Sequence, residues 1–335
     1  MKLPVLSHPT TTVLVDDSDS FLQSVVFQLD PGLASKTFHD TTEALNWFQA
    51  SAKRSELPLE VNVDVLNLPS EQRNVAVDIR RISHVSSQRQ RFSIPSVLVV
   101  DYSMPQMNGV QFCEALQGIP CKKILFTGAA DEKIAVDAFN RGLIDRYISK
   151  SAEDALDRLE QEIAAMQRAF FLKQSETLCE LLSLHDYGFL RCQAMAAVIQ
   201  QVRKEHGLVE HYLFHGPTGV LFFDSYGHAK MMVIETGKSM CSHYEIARDN
   251  DAPSSLLEAL RERRVVPFFS QPGADGMYSA AVGDQWHRYC AAPQVCQGRE
   301  TWYWALFDVP DHYLEAPVYG FKEFLDGERQ ASRRV

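Results

Sequence analysis

Five polar side chains stand directly after short apolar segments of the chain, and their types together suit phosphoryl transfer. They are Asp16, Asp17, Asp101, Thr127 and Lys150. A carboxylate can attack a phosphoryl group as a nucleophile, and further carboxylates supply the hard oxygen ligands that Mg²⁺ prefers. A hydroxyl and an ammonium group can then contact the phosphoryl oxygens. We therefore predict an aspartyl-phosphate site with Asp101 as the nucleophile and with Asp16 and Asp17 as metal ligands.

The segments before these side chains have the character of buried strands. Val97 to Val100 is a continuous apolar run, which is typical of a parallel-sheet strand covered on both faces. The segments TTVLV, KILF and YIS precede the other polar residues in the same way. In open α/β sheets, ligands bind beyond the carboxyl ends of the strands. We therefore expect these side chains to meet at one edge of a parallel sheet.

Taken one at a time, the residues also have ordinary structural interpretations. Asp16 or Asp17 alone is suited to cap a helix, and Lys150 alone could be a solvated lysine. Tyr147, three residues before Lys150, could be an aromatic at the end of a strand. The ordered set of two acids, one acid, one hydroxyl and one lysine favours the phosphoryl-transfer interpretation over these alternatives.

In this order the set resembles the receiver domain of two-component response regulators, over roughly residues 12–164. The resemblance implies an α/β, doubly wound, flavodoxin-like fold with five parallel strands, and Mg²⁺ as cofactor. It implies that a sensor histidine kinase or phosphotransfer protein phosphorylates Asp101, and that Thr127 and Lys150 sense the phosphoryl group. By the same resemblance Asp101 and the backbone carbonyl of Ser103 are further metal ligands, and Tyr147 is the switch aromatic. Ser151 departs from the family, which usually has proline directly after the lysine.

Composition limits what the rest of the molecule can be. A chain of 335 residues is long enough for two domains, and its net charge of −10 opposes binding to phosphate backbones. The second half, residues 184–335, holds 15 Lys or Arg against 19 Asp or Glu, which excludes a strongly basic DNA-binding module. We expect no membrane span and no signal peptide, because no long apolar window is present. Seven scattered cysteines indicate reduced thiols and a cytoplasmic protein.

The predicted receiver domain, residues 10–164, contains an insertion at 52–95, before its third strand. Within the insertion, residues 59–65 alternate like an edge strand, a helix is expected from Ser70, and residues 85–91 are predicted to be a loop. Two interpretations stay open at this stage. The insertion is a surface decoration, or it contacts a partner or a second copy of the chain beside the phosphorylation face.

A long helix is predicted after Lys150, beginning at Ser151 and ending near Asp186. Apolar residues recur along it at a spacing of three and four, from Leu156 to Phe170. The first turns fit the packing face of the last receiver helix. We interpret residues 165–186 as a signalling helix that pairs with another copy, giving a homodimer, or docks on the second domain.

Residues 187–335 are predicted to form an α+β output domain with a mainly antiparallel sheet. Its strand order is compared, on pattern alone, with PAS-like sensory folds. Trp302 and Trp304 are expected in the core, and Gly216-Pro217 in a turn. Cys241, His243, Cys290 and Cys296 are residue types that bind soft metals, but no pair of them has the close C-x-x-C spacing of a zinc knuckle, so a metal site is not favoured.

The output half carries no motif that names its activity. A protein-interaction or ligand-sensing role fits the acidic α+β pattern, while nucleic-acid binding or an enzymatic activity are the alternatives. Arg261, Arg263 and Arg264 are its one basic cluster in sequence. The insertion and the non-DNA-binding second half together give a faint resemblance to regulators of α-hydroxyketone quorum sensing. No enzymatic activity is expected beyond phosphorylation and dephosphorylation of the chain itself.

Overall fold

The computed structural model describes residues 2–52, 78–128, 132–270, 278, 283–314 and 316–332. The chain divides into two compact units. We name the unit of residues 8–57, 89–174 and 324–335 the parallel-sheet unit. The unit of residues 1–7, 58–88 and 175–323 is the antiparallel-sheet unit. The division predicted from the sequence, into residues 10–164, 165–186 and 187–335, stays a prediction.

The helices and strands of the described residues are numbered in chain order. The first are β1 (Leu6–Ser7), β2 (Thr11–Val15), α1 (Asp19–Gln28), β3 (Ser35–Phe38), α2 (Thr41–Ala52), α3 (Arg80–His84), β4 (Pro95–Val100), α4 (Gly109–Ala115), β5 (Lys122–Thr127), α5 (Glu132–Asn140), β6 (Arg146–Ser149) and α6 (Ala155–Leu182). They continue with α7 (Gln193–Glu205), β7 (Leu208–His215), β8 (Thr218–Asp224), β9 (Ala229–Thr236), α8 (Gly237–Asp249), α9 (Ser254–Arg261), β10 (Val266–Pro267), β11 (Cys290–Ala291), β12 (Gln294–Gln297), β13 (Thr301–Val309) and α10 (Phe321–Ser332).

The parallel-sheet unit contains a five-stranded sheet in the order β3-β2-β4-β5-β6, and every neighbouring pair is parallel. Alternate residues of β4 enter different clusters: Leu98 and Val100 pack in one, and Val97 and Val99 in the other. All four are buried, because the sheet is covered on both faces. The predicted doubly wound α/β fold is confirmed.

The insertion before β4 is helical where the structure describes it. Helix α3 is followed by two short 3₁₀ segments, Val85–Ser87 and Arg89–Ser93. The loop predicted at 85–91 is therefore wrong. The segment is polar in sequence, but Val85 and Arg91 are buried. The predicted strand at 59–65 and the predicted helix from Ser70 lie outside the described residues.

Helix α6 has 28 residues and continues from the parallel-sheet unit into the antiparallel-sheet unit. It begins and ends a few residues inside the range predicted from the sequence. Leu159, Ile163 and Met166 are buried in the cluster that also contains Ile148 of β6. The first half of the apolar stripe is thus the packing face of the last helix of this unit. A signalling role for residues 165–186 stays a prediction.

The antiparallel-sheet unit contains a six-stranded sheet in the order β1-β7-β8-β9-β13-β12, and a separate pair of β10 and β11. Its mainly antiparallel α+β character is confirmed, as is the turn at Gly216-Pro217 between β7 and β8. Trp302 and Trp304 are buried, as predicted. The comparison with PAS-like folds, in which two strands, then helices and then three strands follow along the chain, is wrong. Here three consecutive strands, β7, β8 and β9, precede the helices, and the two longer strands that follow are β12 and β13.

Each end of the chain belongs to the unit formed mainly by the other half of the sequence. At the N-terminus, Leu6 and Ser7 of β1 pair with Tyr212 and His211 of β7 in the antiparallel sheet. At the C-terminus, residues from 324 onward belong to the parallel-sheet unit, where Arg329 Nη2 donates to the Pro31 carbonyl at 2.7 Å. No helix of the described residues is long and apolar enough to cross a membrane.

Burial of one histidine makes the stability of the parallel-sheet unit depend on pH. The His8 ring is stacked edge-on against Phe171, with ring centroids 4.8 Å apart. Burial lowers the pKa of His8 to about 3, helped by the charge of Arg91 and opposed by the hydrogen bond to the Pro9 carbonyl. Since an unfolded histidine takes up a proton below about pH 6.5, acid stabilises the unfolded chain before it can protonate the folded one.

We therefore expect the contribution of His8 to be complete above pH 6.5 and to be lost as the pH falls toward 3. The free energy of unfolding should fall by up to about 1.4 kcal/mol per pH unit within this window. Urea unfolding of the wild type and of His8→Leu at pH 7 and 5.5 measures the difference. The variant should have the shallower pH dependence, and equal slopes would contradict the assignment.

Candidate active site at the strand ends

The carboxyl ends of four strands bring most of the predicted site residues to one edge of the parallel sheet. Asp16 follows β2, Asp101 follows β4, Thr127 ends β5, and Lys150 follows β6. Main-chain hydrogen bonds hold the ends in line: Asp101 N–H donates to the Val15 carbonyl at 2.9 Å, and Lys150 N–H to the Thr127 carbonyl at 3.0 Å. The convergence predicted from the sequence pattern is thus present in the backbone.

One ammonium group bridges two of the carboxylates. Lys150 Nζ donates to Asp16 Oδ2 at 2.5 Å and to Asp101 Oδ1 at 2.6 Å. Each carboxylate side chain is 7% exposed and the lysine side chain 19%. Buried carboxylates are costly without a cation or donors, so Lys150 stabilises the two acids together.

Backbone donors occupy the other carboxylate oxygens. Ser18 N–H donates to Asp16 Oδ1 at 2.9 Å, and Ser103 N–H donates to Asp101 Oδ2 at 2.7 Å. These bonds fix the rotation of both carboxylates, so that one oxygen of each faces Lys150. Sequence reasoning missed these donors, although Ser18 was recognisable as a helix cap: its side chain accepts from Phe21 N–H.

Two aromatic rings lie beside the Lys150 ammonium group. Lys150 Nζ lies 4.1 Å from the centroid of the Phe21 ring and 5.9 Å from that of Phe126. A cation over an aromatic face is attracted by the ring, and the ring excludes water from one side of the ion pairs. Phe21 is a site residue that sequence analysis did not identify, because its helix position suggests only core packing.

A tight turn carries the Asp101 backbone into helix α4. Gly109 N–H donates to the Tyr102 carbonyl at 3.0 Å. Asn108 caps the helix, with its side chain accepting from Gln111 N–H and the Gln111 side chain accepting from Asn108 N–H. A Cβ at Gly109 would lie 2.2 Å from the Asp101 carbonyl oxygen, so only glycine fits this close approach.

The remaining predicted residues are less closely involved. Asp17 and Ser103 are exposed, and Tyr147 is half-buried against the cluster that contains Leu125. Thr127 is 2% exposed at the end of β5. Ser151 stands where the family usually has proline, and its hydroxyl lies 2.8 Å from that of Ser149.

Two carboxylates of the site are suited to a hard divalent cation. Asp16 and Asp101 both contact the Lys150 ammonium group, and carboxylate oxygens are the ligands that Mg²⁺ prefers. Within the ranges that the structure describes, no three His, Cys, Asp or Glu side chains are grouped closely enough to hold a metal. The geometry therefore supplies two convergent carboxylates, with Asp17 as an exposed third acid on the same loop.

Comparison with known proteins agrees with this arrangement. The family profile of the response regulator receiver domain matches residues 60–164, which include Asp101, Thr127 and Lys150. The solved structure of the Legionella pneumophila response regulator LqsR aligns with 97% of this chain and 95% of its own, at 30% identity and a TM-score of 0.73. The chain belongs to the response regulator family. This response regulator therefore resembles LqsR over both units, whereas the receiver profile matches residues 60–164 only.

Other solved structures align with about half of the chain. The Francisella response regulator 1452 receiver domain covers 48% of this response regulator and 98% of its own chain, at 15% identity and a TM-score of 0.31. A CheY-like receiver domain protein from Methanospirillum hungatei covers 48% of this chain and 98% of its own, at 18% identity and a TM-score of 0.31. No curated protein matches the chain.

Proposed function

We propose that this response regulator accepts a phosphoryl group on Asp101 from a sensor histidine kinase or phosphotransfer protein, in a Mg²⁺-dependent reaction. The observation that carries the proposal is the double ion pair of Lys150 with Asp16 and Asp101 at the strand ends. It supports a nucleophilic carboxylate held in a fixed rotation, with a cation beside the position of the incoming phosphoryl oxygens.

In the proposed reaction, one carboxylate oxygen of Asp101 forms a bond to phosphorus as the bond from phosphorus to the donor's leaving atom breaks. Ser103 N–H stabilises the second oxygen of Asp101, which becomes the acyl carbonyl. Lys150 exchanges its bond to Asp101 for one to the phosphoryl group, and Thr127 contributes its hydroxyl. Mg²⁺, held by Asp16, Asp17, Asp101 and the Ser103 carbonyl, would neutralise charge on the transferred group.

The downstream part of the proposal concerns the second half of the chain. Tyr147 and Thr127 respond to the phosphoryl group, and the change passes through residues 165–186 to an output domain at 187–335. We propose that this domain has an interaction or sensing role, because its 15 Lys or Arg against 18 Asp or Glu, a net charge of −3, oppose nucleic acid. A homodimer, a cytoplasmic location and a place in quorum-sensing signalling belong to the same proposal, by the resemblances given above.

Treatment with acetyl phosphate and Mg²⁺, followed by intact-mass measurement, tests the phosphorylation step. The wild type should gain one phosphoryl group, and chelation of the metal should prevent this. Asp101→Asn should gain none, because its side chain lacks the nucleophilic oxygen. Asp137→Asn, which removes an exposed acid of α5 in the same unit, is the matched control and should be labelled like the wild type. Equal labelling of Asp101→Asn would overturn the proposal.

A further inference from the structure

A cavity of about 580 Å³ lies within the antiparallel-sheet unit. Its walls include the end of β9, one face of α8, and the aromatic residues Phe268, Phe269 and Tyr313. The volume falls in the range of small-molecule sites, and the lining combines aromatic and aliphatic residues with polar and charged ones. Phosphorylation of Asp101 makes no use of this cavity.

A buried network stands at the cavity wall. His243 Nε2 lies 2.9 Å from Glu235 Oε1, and the Tyr278 hydroxyl lies 2.6 Å from His243 Nδ1. Tyr278 is fully buried, and burial raises the pKa of its phenol, which therefore keeps its proton. The buried phenolic proton is satisfied when Tyr278 donates to Nδ1, so the network assigns the proton of a neutral His243 to Nε2, which donates to Glu235.

This arrangement leaves negative charge facing the cavity. Glu235 is 7% exposed at its side chain, and His243 is its one hydrogen-bond partner among the described residues. Asp186 adds a second acid to the lining, and no Lys or Arg belongs to the part of the lining that the structure describes. A buried carboxylate in such surroundings favours a cationic donor.

The same walls disfavour an anion. The beginning of α8 lines the cavity, and a capping box there uses the backbone N–H groups of the cap residue Thr236 and of Ser239. Ser239 N–H donates to the Thr236 hydroxyl at 3.0 Å, and Thr236 N–H donates to the Ser239 hydroxyl at 2.8 Å. Phosphate groups would meet the two acids, Glu235 and Asp186, while aromatic faces beside a carboxylate attract organic cations.

We infer that this cavity binds a small organic ammonium compound. Its charged nitrogen donates to Glu235, and its apolar body packs against Phe268, Phe269 and Tyr313. His243 and Tyr278 are positioning residues, since they hold the Glu235 carboxylate without contacting the ligand in this arrangement. The antiparallel-sheet unit then has a ligand-binding role of its own, independent of the phosphoryl group.

Three probes of nearly equal shape test the charge preference. Phenethylamine, phenethyl alcohol and phenylpropionate share an aromatic ring and a short chain, and differ in the charge of the head group. Titration calorimetry of the full unphosphorylated chain should show saturable binding of phenethylamine to one site. The alcohol should bind at least about tenfold more weakly, because it loses a charge-assisted hydrogen bond. Phenylpropionate should bind more weakly still.

Variants separate the site from general charge effects. Glu235→Gln should weaken phenethylamine at least about tenfold while reducing the difference between the amine and the alcohol. Glu245→Gln removes the same charge from the exposed side of α8 and should bind phenethylamine like the wild type. Ser242→Trp, at an exposed lining position, should abolish binding of all three probes by filling the cavity.

Three results would overturn the inference. They are phenylpropionate binding as tightly as phenethylamine, Glu235→Gln binding the amine like the wild type, and no saturable amine binding up to its solubility. Circular dichroism of each variant establishes that it is folded. Asp101→Asn should bind phenethylamine like the wild type, so failure of the phosphorylation proposal and failure of this one are distinguishable.

Discussion

Replacement of Gly109 by alanine should destabilise the parallel-sheet unit by about 3 kcal/mol. The added Cβ would lie 2.2 Å from the Asp101 carbonyl oxygen, 3.0 Å from its carbon and 3.1 Å from Leu125 Cδ1. Two of these atoms belong to the backbone of Asp101, so a side-chain rotation cannot relieve the clash. The variant should therefore be less stable. Because Asp101 is displaced, acetyl phosphate should also label it more slowly.

Hydrogen exchange of peptides from β4 and β5 measures this loss within the unit concerned. Gly128→Ala is the matched control, because the Cβ that it would add has no atom of the described residues within 4 Å, its chain neighbours aside, and its backbone is not left-handed. That variant should change stability by less than about 0.5 kcal/mol. Similar exchange in the two variants would show that the close approach at Gly109 is not a constraint.

Replacement of Lys150 by methionine should cost about 3 kcal/mol of stability, because it leaves two buried carboxylates without their shared cation. Methionine retains most of the apolar stem over Phe21, so the change isolates the charge. Labelling by acetyl phosphate should also slow, since the positive group beside the phosphoryl oxygens is gone. Hydrogen exchange of peptides from β2, β4 and β6 measures the loss of stability within this unit.

The control for Lys150→Met is Lys122→Met, which breaks the partly exposed ion pair with Asp145. Exposure and solvent screening limit that loss to about 1 kcal/mol. Addition of Asp101→Asn to Lys150→Met should recover part of the lost stability, because it removes one of the unpaired charges. Equal losses for the two lysine variants, or no recovery in the double variant, would show that Lys150 is not the main stabiliser of the acids.

The parallel sheet and its site were predictable because their signals are local. Each strand is a short apolar run, and each polar residue follows its strand directly, so a parallel topology alone places them together. Asp16, Asp101 and Lys150 converge as expected. The double ion pair itself was not predictable, because it depends on the rotations that Ser18 and Ser103 impose through their backbone donors.

The second half was harder to predict because its structure rests on distant pairings. Strand β1 has two residues and no periodic pattern, and it exists because β7 offers a free edge to it. Helix α8 follows β9 without a loop, and few of its residues are apolar, so no clear stripe marks it. The contact of Tyr278 with His243 joins residues 35 positions apart. Sequence spacing contains no trace of such a contact.

Chemical mapping of the phosphorylated residue tests the central proposal most directly. Borohydride reduces an acyl phosphate to a primary alcohol and thereby converts a phosphorylated aspartate to homoserine. After acetyl phosphate and Mg²⁺, reduction and peptide mass spectrometry should place homoserine at position 101, and only in samples that received the phosphodonor. Homoserine at position 16 or 17 instead, or none at position 101 in a labelled sample, would contradict the assignment of Asp101 as the phosphoacceptor.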